Sequence, residues 1–110
     1  LIGQADTLRD MGRFAEAADA YRDMALRYMN EPASLEAFLG QSQMMRKIGR
    51  VREADLLIRQ ANVVLGRIGT QWDEEFDKVT RYDRAGWERY LAWIIERLDQ
   101  GAQLTNQTAP

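Results

Sequence analysis

The densest run of side chains able to do chemistry is Asp73-Glu74-Glu75, followed by Asp77. Carboxylates this close could share a proton for acid–base work or give oxygen ligands to a hard cation. Both uses need converging oxygens. On a helix Asp73 and Asp77 share a face while Glu74 and Glu75 point elsewhere, so the cluster reads as a solvated face. The hydroxyl nucleophiles, Ser34, Ser42 and the threonines, have no histidine to activate them, because the chain contains none. That also removes the commonest metal ligand. No cysteine is present, which excludes disulfides and thiolate ligands and leaves the redox compartment open. Lys47 and Lys78 are the only lysines, and neither sits in a nucleophile motif. Gly66-Arg67-Ile68-Gly69 lacks the pattern and the preceding strand of a phosphate loop. The expectation is a chain without catalysis, metal or cofactor.

Basic residues gather at one place, Arg46, Lys47, Arg50 and Arg52. They could form a local anion patch, but the C-terminal end of a helix accounts for Arg46 and Lys47 without a ligand. Overall, 15 basic and 17 acidic residues are interspersed for a net charge of −2, which gives no general pull toward nucleic acid or anionic lipid. No apolar run approaches the roughly 18–20 residues of a membrane span. Of the tryptophans, Trp72 and Trp87 fall on apolar stripes. Trp93 falls off its stripe, between Ala92 and Ile94; it either marks a protein contact or packs against Tyr90 or a preceding helix.

The elements behind these residues come from a repeat. Gly12-Arg13-Phe14-Ala15-Glu16-Ala17 returns as Gly49-Arg50-Val51-Arg52-Glu53-Ala54, identical at four of six places and offset by 37 residues. Around each copy, apolar residues recur at steps of three and four, the period of a helix. Leu1, Ala5 and Leu8 mark a first helix. Phe14, Ala17, Ala18, Tyr21, Met24, Ala25 and Tyr28 mark a second, stopped near Pro32. Leu35, Phe38, Leu39, Ser42, Met45 and Ile48 mark a third, and Val51, Ala54, Leu57, Ile58 and Ala61 a fourth. The two hairpins align residue by residue: Ala5 with Ser42, Leu8 with Met45, Ala17 with Ala54, Tyr21 with Ile58. At 110 residues this is one all-α domain, with 1–32 and 33–66 as repeats and 67–100 as extending and capping helices. The chain opens on Leu1 inside a helical pattern and reads as a piece of a longer protein.

These residues resemble the tetratricopeptide repeat (TPR) family, whose hairpins carry a small residue midway in helix A, a large one three later, Gly at the turn, then Ala-x-x-x-aromatic in helix B. The first copy reads Ala5, Leu8, Gly12, Ala17, Tyr21; the second reads Ser42, Met45, Gly49, Ala54, Ile58. Two departures stand out. Leu1 and Phe38 replace the family's leading Trp, and the repeat is 37 residues long against 34 in the family. The resemblance covers about residues 1–65 and implies a stacked helical-hairpin superhelix.

Beyond it, Ala54, Ile58, Ala61, Leu65, Ile68, Trp72, Phe76 and Val79 keep helical spacing. This predicts one long helix over 51–80, against the alternative of a break at Arg67–Thr70. Asp83 is a plausible N-cap for a last helix through Trp87, Leu91, Ile94, Ile95 and Leu98. That helix ends at Gly101 and folds back on the Trp72–Val79 stretch as a cap, and 102–110 is a polar tail.

By the same resemblance, the concave groove of the A helices would bind a peptide or helix of a protein partner through Ile2, Asp6, Arg9, Leu39, Gln43 and Arg46. One TPR subclass grips a terminal carboxylate with Lys and Asn; the matching places are Ile2, Asp6 and Gly40, which argues against that role. The mixed groove suits an amphipathic or acidic segment. A second reading is a self-associating structural module. Neither nucleic acid nor membrane insertion is expected.

Overall fold

The repeated hexapeptide is a helix stop followed at once by a helix start. Gly12 (φ 77°) and Gly49 (φ 83°) adopt the left-handed conformation. After Ile2–Asp10 (α1), Gly12 N–H donates to Arg9 C=O (2.9 Å) and Arg13 N–H to Leu8 C=O (2.9 Å). After Ala33–Lys47 (α3), Gly49 N–H donates to Arg46 C=O (3.1 Å) and Arg50 N–H to Met45 C=O (2.8 Å). Both are Schellman closures, which satisfy the last carbonyls of a helix. The following Arg then starts the next helix, Phe14–Arg27 (α2) or Val51–Arg67 (α4), and reaches the Glu three residues on: Arg13 to Glu16, and Arg50 Nε to Glu53 at 2.9 Å. The closing Ala of each hexapeptide, Ala17 or Ala54, is fully buried. Every conserved letter of the repeat thus has a structural task.

No atom lies within 4 Å of a Cβ built on Gly12 or Gly49, so only the backbone resists a side chain there. Gly12→Ala and Gly49→Ala are each expected to lower stability by about 1–2 kcal/mol, read as a shift in denaturant midpoint. Equal stability would show that the turn relaxes.

The computed structural model describes the backbone of residues 2–108 and the side chains of residues 3–101. All regular structure among them is helical. α2 ends at Arg27, the following turn places Asn30 at φ 65°, and Pro32 leads into α3. The molecule measures 49 × 33 × 18 Å. Its thinnest dimension is under two helix diameters, so the helices form two layers. Ser42, aligned with Ala5, lets α3 approach α4 and donates to Ala54 C=O at 2.8 Å. The core runs from Ala5, Ala17 and Tyr21 at one end to Ile68, Phe76, Trp87 and Leu91 at the other.

The expected continuous helix over 51–80 does not form. At 17 residues α4 is the longest of the four repeat helices, but it stops at Arg67. Ile68 (ψ 118°) and Gly69 (ψ 158°) are extended, a single 3₁₀ turn spans Thr70–Trp72, and Phe76–Val79 (α5) is one helical turn. Packing explains the break. A helix continued to residue 80 would project about 20 Å beyond Arg67, past anything able to cover it. Turning back at Ile68 buries Ile68 and Phe76 instead. Trp72 is half-buried against the core, and Val79, expected on the apolar stripe, is exposed. Arg84 secures the turn, donating to Leu65 C=O (3.3 Å), Gly69 C=O (3.0 Å) and Asp73 (2.8 Å).

The last helix, Arg84–Thr108 (α6), begins as expected with Asp83 accepting from Gly86 N–H at 2.8 Å. It packs on α4 rather than on a long-helix extension. Arg84 lies at the end of α4 while Asp99 pairs with Arg59 (2.5 Å) midway along it, so the two run antiparallel. Gly101 does not end α6. The backbone stays helical to Thr108, within the stretch expected as a tail, because a glycine inside a helix costs only about 1 kcal/mol. Among the described residues, no helix is long and apolar enough to cross a membrane.

Candidate functional site

The A helices and the segment after α5 enclose a cavity of about 380 Å³. Asp6 and Arg9 reach it from α1, Tyr21 from α2, and Glu36, Gly40 and Gln43 from α3. Lys78, Thr80 and Arg81 form the remaining wall.

Helical spacing puts Glu36, Gly40 and Gln43 on one face of α3. Gly40 lets the ring of Tyr21 lie directly against α3, since a Cβ there would sit 2.5–2.7 Å from that ring. Tyr21 is almost wholly buried, at 3% exposure. Its hydroxyl donates to Asp6. Arg9 donates to the Tyr21 oxygen (3.4 Å), to Asp6 (3.4 Å) and to Asp10 (3.2 Å). Burial first, and then the bond to Asp6, push the Tyr21 phenol up from 10.0 to about 12. A group held neutral by the fold stabilises it fully below the unfolded value, and that contribution disappears as pH rises through the folded one. Stability is therefore expected to fall between about pH 10 and pH 12 in the native chain. The fall should be shallower in Tyr21→Phe, measured as denaturant midpoint against pH.

On the far wall, Arg81 closes on Glu36. Its backbone N–H donates at 2.9 Å and its guanidinium at 2.8–3.1 Å to both carboxylate oxygens. With Asp6 engaged by Arg9 and Glu36 by Arg81, Lys78 is left exposed with no ion pair among the described residues.

Of the residues expected in a groove, Asp6, Arg9 and Gln43 come together here. Leu39 does not: it is in the core at 3% exposure, on the side of α3 that packs inward. Arg46 turns to Asp55 of α4 and is not part of the wall. The Ile2 side chain lies outside the described residues. Sequence reasoning missed Tyr21, Glu36, Gly40, Lys78, Thr80 and Arg81. A glycine in mid-helix, unfavourable by about 1 kcal/mol, was the available sign that something approaches α3 closely. No local pattern links Glu36 to Arg81, 45 positions away.

The other clusters resolve into pairs. Arg50 binds Glu53, and Lys47 lies 5.9 Å from the Phe14 ring centre. With Arg46 on Asp55, little of the basic patch is left free. Asp73 pairs with Arg84, and because residues 73–77 are not one helix, Asp73 and Asp77 do not share a helical face. Among the described residues, no group of three or more acidic side chains is arranged to hold a metal ion. Comparison with protein-family models, with curated proteins and with solved structures finds no match to this chain.

Proposed function

We propose that this chain is a non-catalytic protein-interaction module of the TPR type, and that the concave cavity receives an acidic or amphipathic segment of a partner protein. The observation that carries this reading is the cavity's charge balance: two ion pairs cancel, and exposed Lys78 lines the cavity with no ion pair among the described residues. Catalysis would need an activated nucleophile, whereas in these walls both carboxylates are paired with arginines and the Thr80 hydroxyl is held by the Phe76 and Tyr82 carbonyls and the Trp87 indole. The repeated Schellman turns and the Ala17/Ala54 contacts support a hairpin array, whose usual work is binding.

The test uses Gln43→Ala with Lys78→Ala. Both positions are exposed, and neither side chain has a partner among the described residues, so folding should be retained. Arg9 and Arg46 are poorer choices because each is tied to acidic neighbours within the fold. Proteins captured by the native chain should be lost by the double variant while helical content and midpoint are unchanged. Equal capture by both would remove the cavity from the function.

Self-association has its own support. Leu26 is 62% exposed and, with Met29, Phe38 and Leu57, lines a groove of about 230 Å³ on the α2–α4 side. Sedimentation at several concentrations decides: a concentration-independent monomer argues against assembly.

A further inference from the structure

Away from the concave cavity, the start of α6 carries a second groove of about 350 Å³, lined by Tyr82, Gly86, Arg89, Tyr90 and Trp93. Gly86, Tyr90 and Trp93 follow at steps of four and three, so one face of α6 forms its floor. The rings are held in place from below. Fully buried Trp87 meets Tyr82 edge-on at 5.6 Å and Tyr90 at 6.1 Å, and Tyr82 and Tyr90 lie 5.3 Å apart. Trp93 is 51% exposed. Arg97, which does not line the groove, braces it at 4.1 Å from the ring centre.

The hydrogen-bonding character of this surface is one-sided. The Tyr82 and Tyr90 hydroxyls, the Trp93 indole N–H and the Arg89 guanidinium have no hydrogen-bond partner among the described residues. All can donate, and the indole and guanidinium can do nothing else. A docked helix has already used its carbonyls internally and would cover these donors without satisfying them. A polyproline II segment makes no internal hydrogen bonds, keeps every carbonyl free, and loses little entropy on docking between aromatic rings. Arg89 has no ion pair among the described residues and adds a positive charge at the edge.

We infer that this groove binds a proline-rich segment of a partner protein, in polyproline II conformation, with an acidic residue beside its prolines. The groove shares no lining residue with the concave cavity, although Arg81 of the cavity wall directly precedes Tyr82.

The test titrates the 110-residue chain with a short synthetic polyproline peptide bearing one glutamate, followed by calorimetry and tryptophan fluorescence. Saturable binding is expected, with an affinity loss of about tenfold or more in Trp93→Ala, the scale of an aromatic anchor. Arg89→Glu, at an exposed position, should reverse the preference between the glutamate-bearing peptide and its lysine counterpart. Gln43→Ala with Lys78→Ala should leave binding unchanged, which separates this site from the cavity. Three results would overturn the inference. One is the absence of saturable binding, and another is equal affinity for a helix-forming peptide of the same charge. The third is a native dimer that Trp93→Ala converts to monomer, which would make a second copy the occupant.

Discussion

Trp87→Ala is expected to cost about 3–5 kcal/mol, a large part of the roughly 5–15 kcal/mol that holds a domain of this size together. The reason lies in the register of the helix-B residues. Ala17 and Ala54 stand at the fourth position of α2 and α4, where a full partner helix crosses closely. α6 carries Trp87 at its fourth position, 33 residues after Ala54, with Leu91 following as Ile58 follows Ala54. Trp87 shares its core cluster with Leu65 of α4, Ile68 and Phe76 of the single-turn α5. The indole and Phe76 are both fully buried. Truncation also removes the indole N–H bond to Thr80 Oγ1 at 2.8 Å. Equilibrium denaturation measures the loss, with Trp93→Ala as the control. That half-exposed position should move within about 0.5 kcal/mol, typical of surface substitutions. A Trp87→Ala change no larger than the control would refute this account of how α6 is anchored.

Gly40→Val should be the next most damaging substitution. Replacing a helical glycine normally gains up to about 1 kcal/mol. Here the new Cβ meets the Tyr21 ring at 2.5–2.7 Å, and that ring is buried and held through its hydroxyl by Asp6 and Arg9. Overpacking of this kind costs about 1–3 kcal/mol, and the branched side chain of Val removes most of the helix gain. A loss at the upper end of that range is expected. The displaced phenol should also titrate nearer its ordinary value. Combining Gly40→Val with Tyr21→Ala should cost less than the sum of the two single changes. Simple additivity would mean that the clash is relieved elsewhere.

The first four helices were legible because each was marked twice, by period and by the repeated hexapeptide. The capping role of Asp83 was legible as well, since it depends on neighbours within one helix, whereas the sequence left two readings open for Trp93, which is half exposed. The apolar spacing from Ala54 to Phe76 was misleading for a physical reason. Ile68, Trp72 and Phe76 do face the core, but from a chain that has turned back, and periodicity records which residues are apolar without recording where the backbone bends. Three of the ten residues lining the candidate site were legible by alignment of the A helices, namely Asp6, Arg9 and Gln43. Much of the rest depends on contacts between distant segments. Glu36 with Arg81 is one such pair, and Leu39 shows that a one-residue error in choosing a helix face exchanges groove for core.

The clasp between Arg81 and Glu36 also bears on how the molecule comes apart. In a simple array each hairpin touches only its neighbours, and an end unit can fray while the rest stays folded. Here the segment between α5 and α6 is bonded to α3 and lines one cavity with Asp6 and Arg9 of α1. The last unit is thus tied past its immediate neighbour α4, and both end units contribute to one cavity. Loosening either end removes part of the surroundings of the other. Heat or denaturant should then melt α1 and α6 in a single transition, where an open stack would unravel from its ends.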